Sequence, residues 1–383
     1  MKIIILIRIL WYGGALKIAI EEAKELRKRG HNVKLIILRG KTTKEIKDLL
    51  NGIDWEIMHD DKPSFLTPIY SYVTKKFRPD RGKESTVDLN LIKKFRKKYA
   101  IFNPEYIICH DQWSGLAGYY YKRWYKTKYS VVVHEAIPDY TLPILSIIAK
   151  HYEKLALLNA TKVLSVTPRV QESILSKYKI NSTLLGYSVS AKKFLEYPEK
   201  KEQIIAVSMW DLGRKPEVYL QLISRLKNFK LLMIGAWRDD TTLNSFLNKL
   251  NELKLKDSVE IIQNVTEEKL YSLYGLSKFN IRFSFEEVGG GMSVFEALSC
   301  GTPSIVNERL GSSEFIRDYK IGFVISNDNE LLVDETIACI KKEDNPISFK
   351  SLQESMRKAL HGLGWDKHVD LLIPPFEEEW NGN

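Results

Sequence analysis

The sequence predicts an α/β protein built of two Rossmann-like halves whose parallel sheets face a central cleft. Three observations predict it. Short apolar runs alternate with amphipathic helical patterns along the chain, the order that parallel βαβ units produce. The alternation is interrupted by a polar, proline-containing stretch, AKKFLEYPEKKE at residues 191–202, and then restarts. The 383 residues are enough for two substantial cores.

The elements follow in order. Residues 3–10, IIILIRIL, read as a buried first strand; Arg8 interrupts the run and no small-residue cleavage site follows, which argues against a signal peptide. Leu16, Ala19, Ile20, Ala23 and Leu26 recur at helical spacing and Gly30 stops the pattern. Residues 33–38, 106–109, 130–133 and 163–166 are further strands. The second half restarts with a strand at 204–208, a helix at 217–226, and strands at 230–234, 259–262, 279–283 and 303–306. Residues 1–190 then form the N-terminal domain, 191–202 the linker, 203–364 the C-terminal domain, and 365–383 a terminal segment broken by Pro374 and Pro375.

Composition narrows the function. A hydrophobic share of 44% with 28% charged residues is that of an ordinary globular protein, and disorder is excluded. No run of eighteen apolar residues predicts a membrane span. Cys109, Cys300 and Cys339 are isolated and odd in number, which points to a reducing, cytoplasmic compartment. Neither they nor the histidines and acids show metal-ligand spacing, so no metal is expected. The net charge of +10 is uneven, with ten basic residues against three acids in residues 75–98. Two readings stand: a solvated face, or attraction to an anionic membrane surface at which the protein would be peripheral. Nucleic acid is excluded as a partner, because no binding motif accompanies the charge.

The segment with most chemistry is residues 284–306, SFEEVGGGMSVFEALSCGTPSIV. A strand ends in Glu286 and Glu287, three glycines follow, and a short helix carries Glu296 before a second strand. Glycines at Gly289, Gly290 and Gly291 let a ligand approach the backbone, and a helix N-terminus at Met292, Ser293 and Val294 offers N–H groups to phosphate oxygens. Carboxylates flanking such a loop suit sugar hydroxyls. Together these describe a pocket for a nucleotide-sugar. Arg214 and Lys215 follow the first strand of the second half beside Gly213, as a surface turn or as cations that neutralise a diphosphate. Gly13 and Gly14 make either a tight βα turn or a point of backbone approach; GxGxxG is absent. His134 ends a strand and is either structural or placed to meet a sugar hydroxyl, and His110 is a similar case. Gly235 and Val265 follow strands and read as ordinary strand-end loops or as part of a binding site. His31, His59, His151, His361 and His368 read as surface residues.

The stretch also resembles the donor-site signature of the GT-B glycosyltransferases, in particular the large retaining family 4, with Ser284, Glu287, Glu296, Ala297, Gly301 and Pro303 in the motif positions. It departs in two places. The spacing of nine from Glu287 to Glu296 is one more than the family pattern has, accounted for by an extra loop glycine. Met209 holds the place of a family arginine, so that Arg214 substitutes beside Lys215. The resemblance implies a metal-independent, hexosyltransferase-type enzyme that needs no cofactor. It would move a sugar, with retention, from a UDP- or GDP-linked donor to a glycan, lipid or small-molecule acceptor on the N-terminal domain. In that picture Lys215, Arg214 and the N–H groups near Met292–Val294 hold the diphosphate, Glu296 the ribose, and Glu287 and His134 the transferred sugar. Val265 resembles the position whose backbone meets the base, and Glu314 the glutamate after a family Gly-Gly pair. Rival readings are a catalytically weak subunit that binds donor or a partner enzyme, and a nucleotide-sugar epimerase on the same fold.

Overall fold

The computed structural model describes residues 1–10, 13–42, 44–58, 89–135, 143–189, 200–285, 290–342 and 346–373. The chain divides into two units, Met1–Gly186 with Trp365–Asn383, and Tyr187–Gly364.

In the first unit the strands are β1 (Lys2–Ile9), β2 (Asn32–Arg39), β3 (Asp54–Ile57), β4 (Tyr106–His110), β5 (Lys128–Val133), β6 (Lys162–Ser165) and β7 (Thr183–Leu184). They form one sheet in the order β3-β2-β1-β4-β5-β6-β7. Every pairing is parallel; Ile5 lies opposite Leu35 on one side and Ile108 on the other. Because β1 is flanked on both sides and covered on both faces, its residues Ile3 to Leu6 are fully buried, which is why the run is continuously apolar. The helices are α1 (Gly14–Lys28), α2 (Lys44–Leu49), α3 (Leu89–Lys98), α4 (Gln112–Tyr125), α5 (Pro143–Leu158) and α6 (Pro168–Tyr178). Thr167 caps α6 by accepting from the Val170 N–H, and Pro168 opens it, a pairing that suits a first turn with unpaired donors.

The second unit holds β8 (Lys201–Val207), β9 (Lys230–Ile234), β10 (Val259–Ile262), β11 (Ser277–Arg282), β12 (Ser304–Asn307) and β13 (Gly322–Ile325). Their order is β10-β9-β8-β11-β12-β13, again wholly parallel. The helices are α7 (Glu217–Ser224), α8 (Asp240–Glu252), α9 (Glu267–Leu276), α10 (Met292–Ser299), α11 (Ser313–Tyr319), α12 (Leu332–Lys342) and α13 (Pro346–Leu360). Lys201 and Glu202, read as the end of the linker, are instead the first residues of β8; residues 191–199 of that stretch lie outside the described residues.

The last helix, α14 (Trp365–Leu372), belongs to the first unit. It is fastened to α1, where Arg29 donates to the Asp370 carboxylate and the Asp366 carbonyl, and to β6, where Lys162 Nζ donates to the Leu371 carbonyl at 2.7 Å. Each unit reverses strand order between its first and fourth strands. In doubly wound sheets the carboxyl ends at that reversal are where ligands bind.

Candidate active site

In the second unit, parallel strands bring residues distant in sequence to one edge. The chain leaves β8 through Met209 and Trp210 and makes a short turn at Leu212–Arg214, capped by Asp211. The Asp211 carboxylate accepts from the Arg214 N–H at 3.1 Å and pairs with Arg238 at 3.2 Å, which holds the turn in place. Lys215 follows in the left-handed region, φ +44°, a strained setting for a residue with a Cβ. Its exposed ammonium lies 4.5 Å from the centre of the Phe285 ring.

The chain leaves β11 at the same edge. Asn307 pins Ser284 from both sides: its Oδ1 accepts from the Ser284 N–H at 2.8 Å and its amide donates to the Ser284 carbonyl at 2.6 Å. Arg309 donates to the Phe285 carbonyl. Glu286, Glu287, Val288 and Gly289 lie outside the described residues. At Gly290 a Cβ would sit 1.6 Å from the Tyr187 hydroxyl; Tyr187 is stacked on Phe295 with ring centres 4.0 Å apart. Gly291, at φ +67°, starts α10, and no side chain caps that helix. The Val294 N–H already donates to the Gly291 carbonyl at 2.9 Å, so the N–H groups at half-buried Met292 and Ser293 are the first-turn donors an anion can use. Glu296 is 6% exposed, and the Tyr274 hydroxyl donates to it at 3.2 Å.

One cation escaped the sequence reading. Arg282 is buried at the end of β11, its Nη1 donating to the Phe283 carbonyl at 2.8 Å, and burial pulls its pKa down. It interacts with Asp211, Tyr219 and Tyr274. Burial raises the pKa of Tyr219, and Arg282 and Arg214 oppose the rise. Tyr274 is pushed far up by burial and by Glu296. Arg214, Arg282 and Glu296 are thus linked through two buried tyrosines. The available signal was a charged side chain inside an apolar strand, SKFNIR.

Gly235 and Val265 stand at the same edge, after β9 and β10. Gly235 has a structural cause of its own, for its Cβ would lie 1.9 Å from the Ser208 carbonyl oxygen. Val265 is half-buried against Leu270, Leu273 and their neighbours. Glu314 is in the first turn of α11; the Ser312 side chain does not cap that helix, and Ser313 Oγ instead donates to the Glu308 carbonyl at 2.9 Å.

The first unit places His110 and His134 at the carboxyl ends of β4 and β5. His134 is half-buried. His110 is 1% exposed, with Nδ1 at 2.9 Å from His134 Nε2 and Nε2 at 2.8 Å from Glu22. The expectation that His110 presents itself to a sugar is therefore corrected: both ring nitrogens are engaged inside the protein. His368, read as a surface residue, is buried mid-helix in α14 and binds the other Glu22 oxygen at 2.8 Å. Burial works to raise the Glu22 pKa, but the two histidines outweigh it and hold the carboxyl at about 2. Burial keeps the His134 pKa down at about 3. Gly13 is extended, with no atom within 4 Å of where a Cβ would be, so neither conformation nor packing calls for glycine there. Gly14 is the first residue of α1. Among the described residues no group of three or more His, Cys, Asp or Glu is arranged to hold a metal ion.

Two parallel sheets of this order, one per unit, make up the GT-B fold. Residues 12–185 match the model of Glycosyltransferase Family 4, and residues 190–359 that of Glycosyl transferases group 1. The chain belongs to this glycosyltransferase family. It is 28% identical over 193 residues to the O-antigen chain mannosyltransferase RfbU of Salmonella typhimurium, covering 47% of this chain and 52% of that protein. The chain spans about half the length of the curated relatives it matches. A glycosyltransferase from Rickettsia africae ESF-5 superposes with a TM-score of 0.73 at 21% identity, over 96% of this chain and 95% of that one. HepE of Anabaena, crystallised with UDP-glucose, superposes with a TM-score of 0.76 at 14% identity, over 97% and 98%. At such identities the two structures establish the fold.

Proposed function

We propose that the protein is a retaining glycosyltransferase that moves a hexose from a nucleoside-diphosphate sugar to an acceptor on the first unit, without a metal ion. The observation that carries this is the placement, at one edge of the second sheet, of Lys215, an uncapped helix N-terminus at Gly291–Ser293, and buried Glu296. Departure of the diphosphate develops negative charge. Lys215, Arg214 and the N–H groups of α10 stabilise that charge, in the role a bound cation plays elsewhere. Glu296 accepts from the ribose hydroxyls, and Glu287 and His134 from hydroxyls of the transferred sugar. The bond from the anomeric carbon to phosphate breaks as the acceptor oxygen attacks the same face, and the leaving phosphate takes the acceptor proton. HepE's UDP-glucose supports a UDP donor, and RfbU supports transfer to a glycan.

Incubating the protein with a panel of UDP- and GDP-sugars in excess EDTA tests this. One donor should be hydrolysed or transferred at undiminished rate. Turnover of none overturns the enzyme reading, and complete loss in EDTA restored by magnesium or manganese overturns metal independence.

The acceptor reading includes an anionic membrane surface. Among the described residues no helix is long and apolar enough to cross a membrane. Most of the basic segment lies outside the described residues, but α3 presents Lys93, Lys94 and Lys97 to solvent. Phe95, which lies among these charges in sequence, is fully buried in the core. Lys98 pairs with Glu56, and nearby Trp124 and Ile101 are 63% and 93% exposed. The protein should sediment with anionic but not zwitterionic vesicles at low salt, and reversal of Lys93, Lys94 and Lys97 to Glu should release it. Failure to sediment favours a free sugar or sugar phosphate as acceptor.

A further inference from the structure

We propose that Phe285 is a positioning residue for Lys215: the face of its ring holds the ammonium at the edge of the second sheet while leaving its charge for the departing diphosphate. The inference deepens the reading of Lys215 given above and rests on it.

The backbone under the ring is tied down. Ser284 is held on both sides by Asn307, and the amide can take only one orientation there, because a backbone N–H only donates and a carbonyl only accepts. The second hydrogen of that amide goes to Asn327 Oδ1 at 3.1 Å, which also accepts from the Arg309 N–H at 2.8 Å. The Arg309 guanidinium donates in turn to the Phe285 carbonyl. Phe285 is thus fastened at its own carbonyl and at the residue before it. Its ring is half-buried against the core of the unit, edge-on to Phe283 with centres 6.5 Å apart.

Lys215 reaches this platform from the turn after β8. Its backbone is held in the left-handed region at φ +44°, with its N–H donating to the Leu212 carbonyl at 3.1 Å. Glycine would take that conformation without strain, so the turn bears a cost in carrying this side chain. The acid on the same turn is engaged elsewhere: the Asp211 carboxylate accepts from the Arg214 N–H and pairs with Arg238. What the ammonium meets is the Phe285 ring, 4.5 Å from its centre. An aromatic face attracts a cation through its quadrupole and brings no net negative charge. A carboxylate in that place would neutralise the lysine and occupy its N–H donors. Over the ring, the ammonium is restrained in position and keeps both charge and donors for phosphate oxygens.

Spectra of the protein carrying lysine labelled with ¹³C at Cε, with the Lys215 signal assigned by its loss in Lys215→Arg, test the contact. The ring current should shift the Lys215 ε-protons of wild type upfield of ordinary lysines. Phe285→Leu should abolish that shift and Phe285→Tyr should keep it. In steady-state kinetics with the preferred nucleotide-sugar, Phe285→Leu should lower kcat about 2–5-fold, the worth of an exposed cation–π contact, with KM little changed. Phe285→Tyr should recover the loss. With Lys215→Met already in place, Phe285→Leu should cost nothing further. A wild-type Lys215 at the ordinary lysine position overturns the proposal even if Phe285→Leu does not fold. So does an undiminished kcat in Phe285→Leu. A loss as large without the Lys215 charge as with it overturns it too, because the ring would then serve packing alone. Should wild type turn over no nucleotide-sugar while the Lys215 shift behaves as expected, the platform stands and the functional reading alone fails.

Discussion

Replacing Lys215 with alanine is expected to slow sugar transfer on the order of 100-fold or more, equivalent to about 2.7–4 kcal/mol of transition-state stabilisation, the range found when one preorganised donor is removed. Three features lead there. Lys215 follows the strand at which the second sheet reverses order, its ammonium is exposed and in no ion pair among the described residues, and it rests over Phe285, just after β11. A cation there meets charge that appears only as the diphosphate leaves, so the loss should fall on kcat more than on KM. The side chain supports no core packing, so the variant should melt with wild type. Steady-state kinetics with the preferred donor check this, and activity near wild type would remove Lys215 from the mechanism.

The second large effect is on stability. Gly235→Ala places a Cβ 1.9 Å from the Ser208 carbonyl oxygen, at a backbone φ of +123°. The neighbouring strand ends are held by the Ser208 N–H to Ile234 and the Gly235 N–H to Ile262, both at 3.0 Å, so the clash cannot be relieved without stretching the sheet. Overpacking and a disfavoured conformation together cost about 3 kcal/mol. At roughly 2–4 °C per kcal/mol for a unit of this size, the melting temperature should drop by about 10 °C. Gly362, with nothing within 4 Å of its would-be Cβ, is the control and should tolerate alanine. A Gly235→Ala protein that melts with wild type would show that the strand ends can part cheaply. Because Ser208 leads into the Asp211 turn, donor binding should weaken as well.

Much of this architecture was readable because its signals are local. A strand flanked on both sides must be apolar throughout, and β1, β2, β4 and β5 announce themselves that way. The elements that escaped were β3, β7 and β13. β3 is an edge strand that mixes charged and apolar residues as DWEI, β7 has only two residues, and β13 is four residues opened by a glycine. Periodicity over so few positions is too short to separate strand from loop. Likewise Ser284, Gly291 and Glu296 belong to one contiguous strand–loop–helix unit and were legible together. Arg282 and Asn307 were not, since an arginine in a strand and an asparagine at a strand end gain meaning only from what packs beside them.

By itself, the sequence determined the two parallel-stranded halves, the glycine loop leading into α10, and the cations after β8. Each follows from residues within a few positions of one another, whose backbone conformation or burial is set by composition and spacing. Only the tertiary structure decided that Phe95 faces the core, that Gly235 is held by Ser208, and that His110 and His368 close on Glu22. The two Glu22 partners are 88 and 346 residues away along the chain. Which donors meet a buried carboxylate depends on how strands and helices stack. A one-dimensional pattern carries the wish of each residue to be buried or solvated, but not the identity of the neighbour it will find.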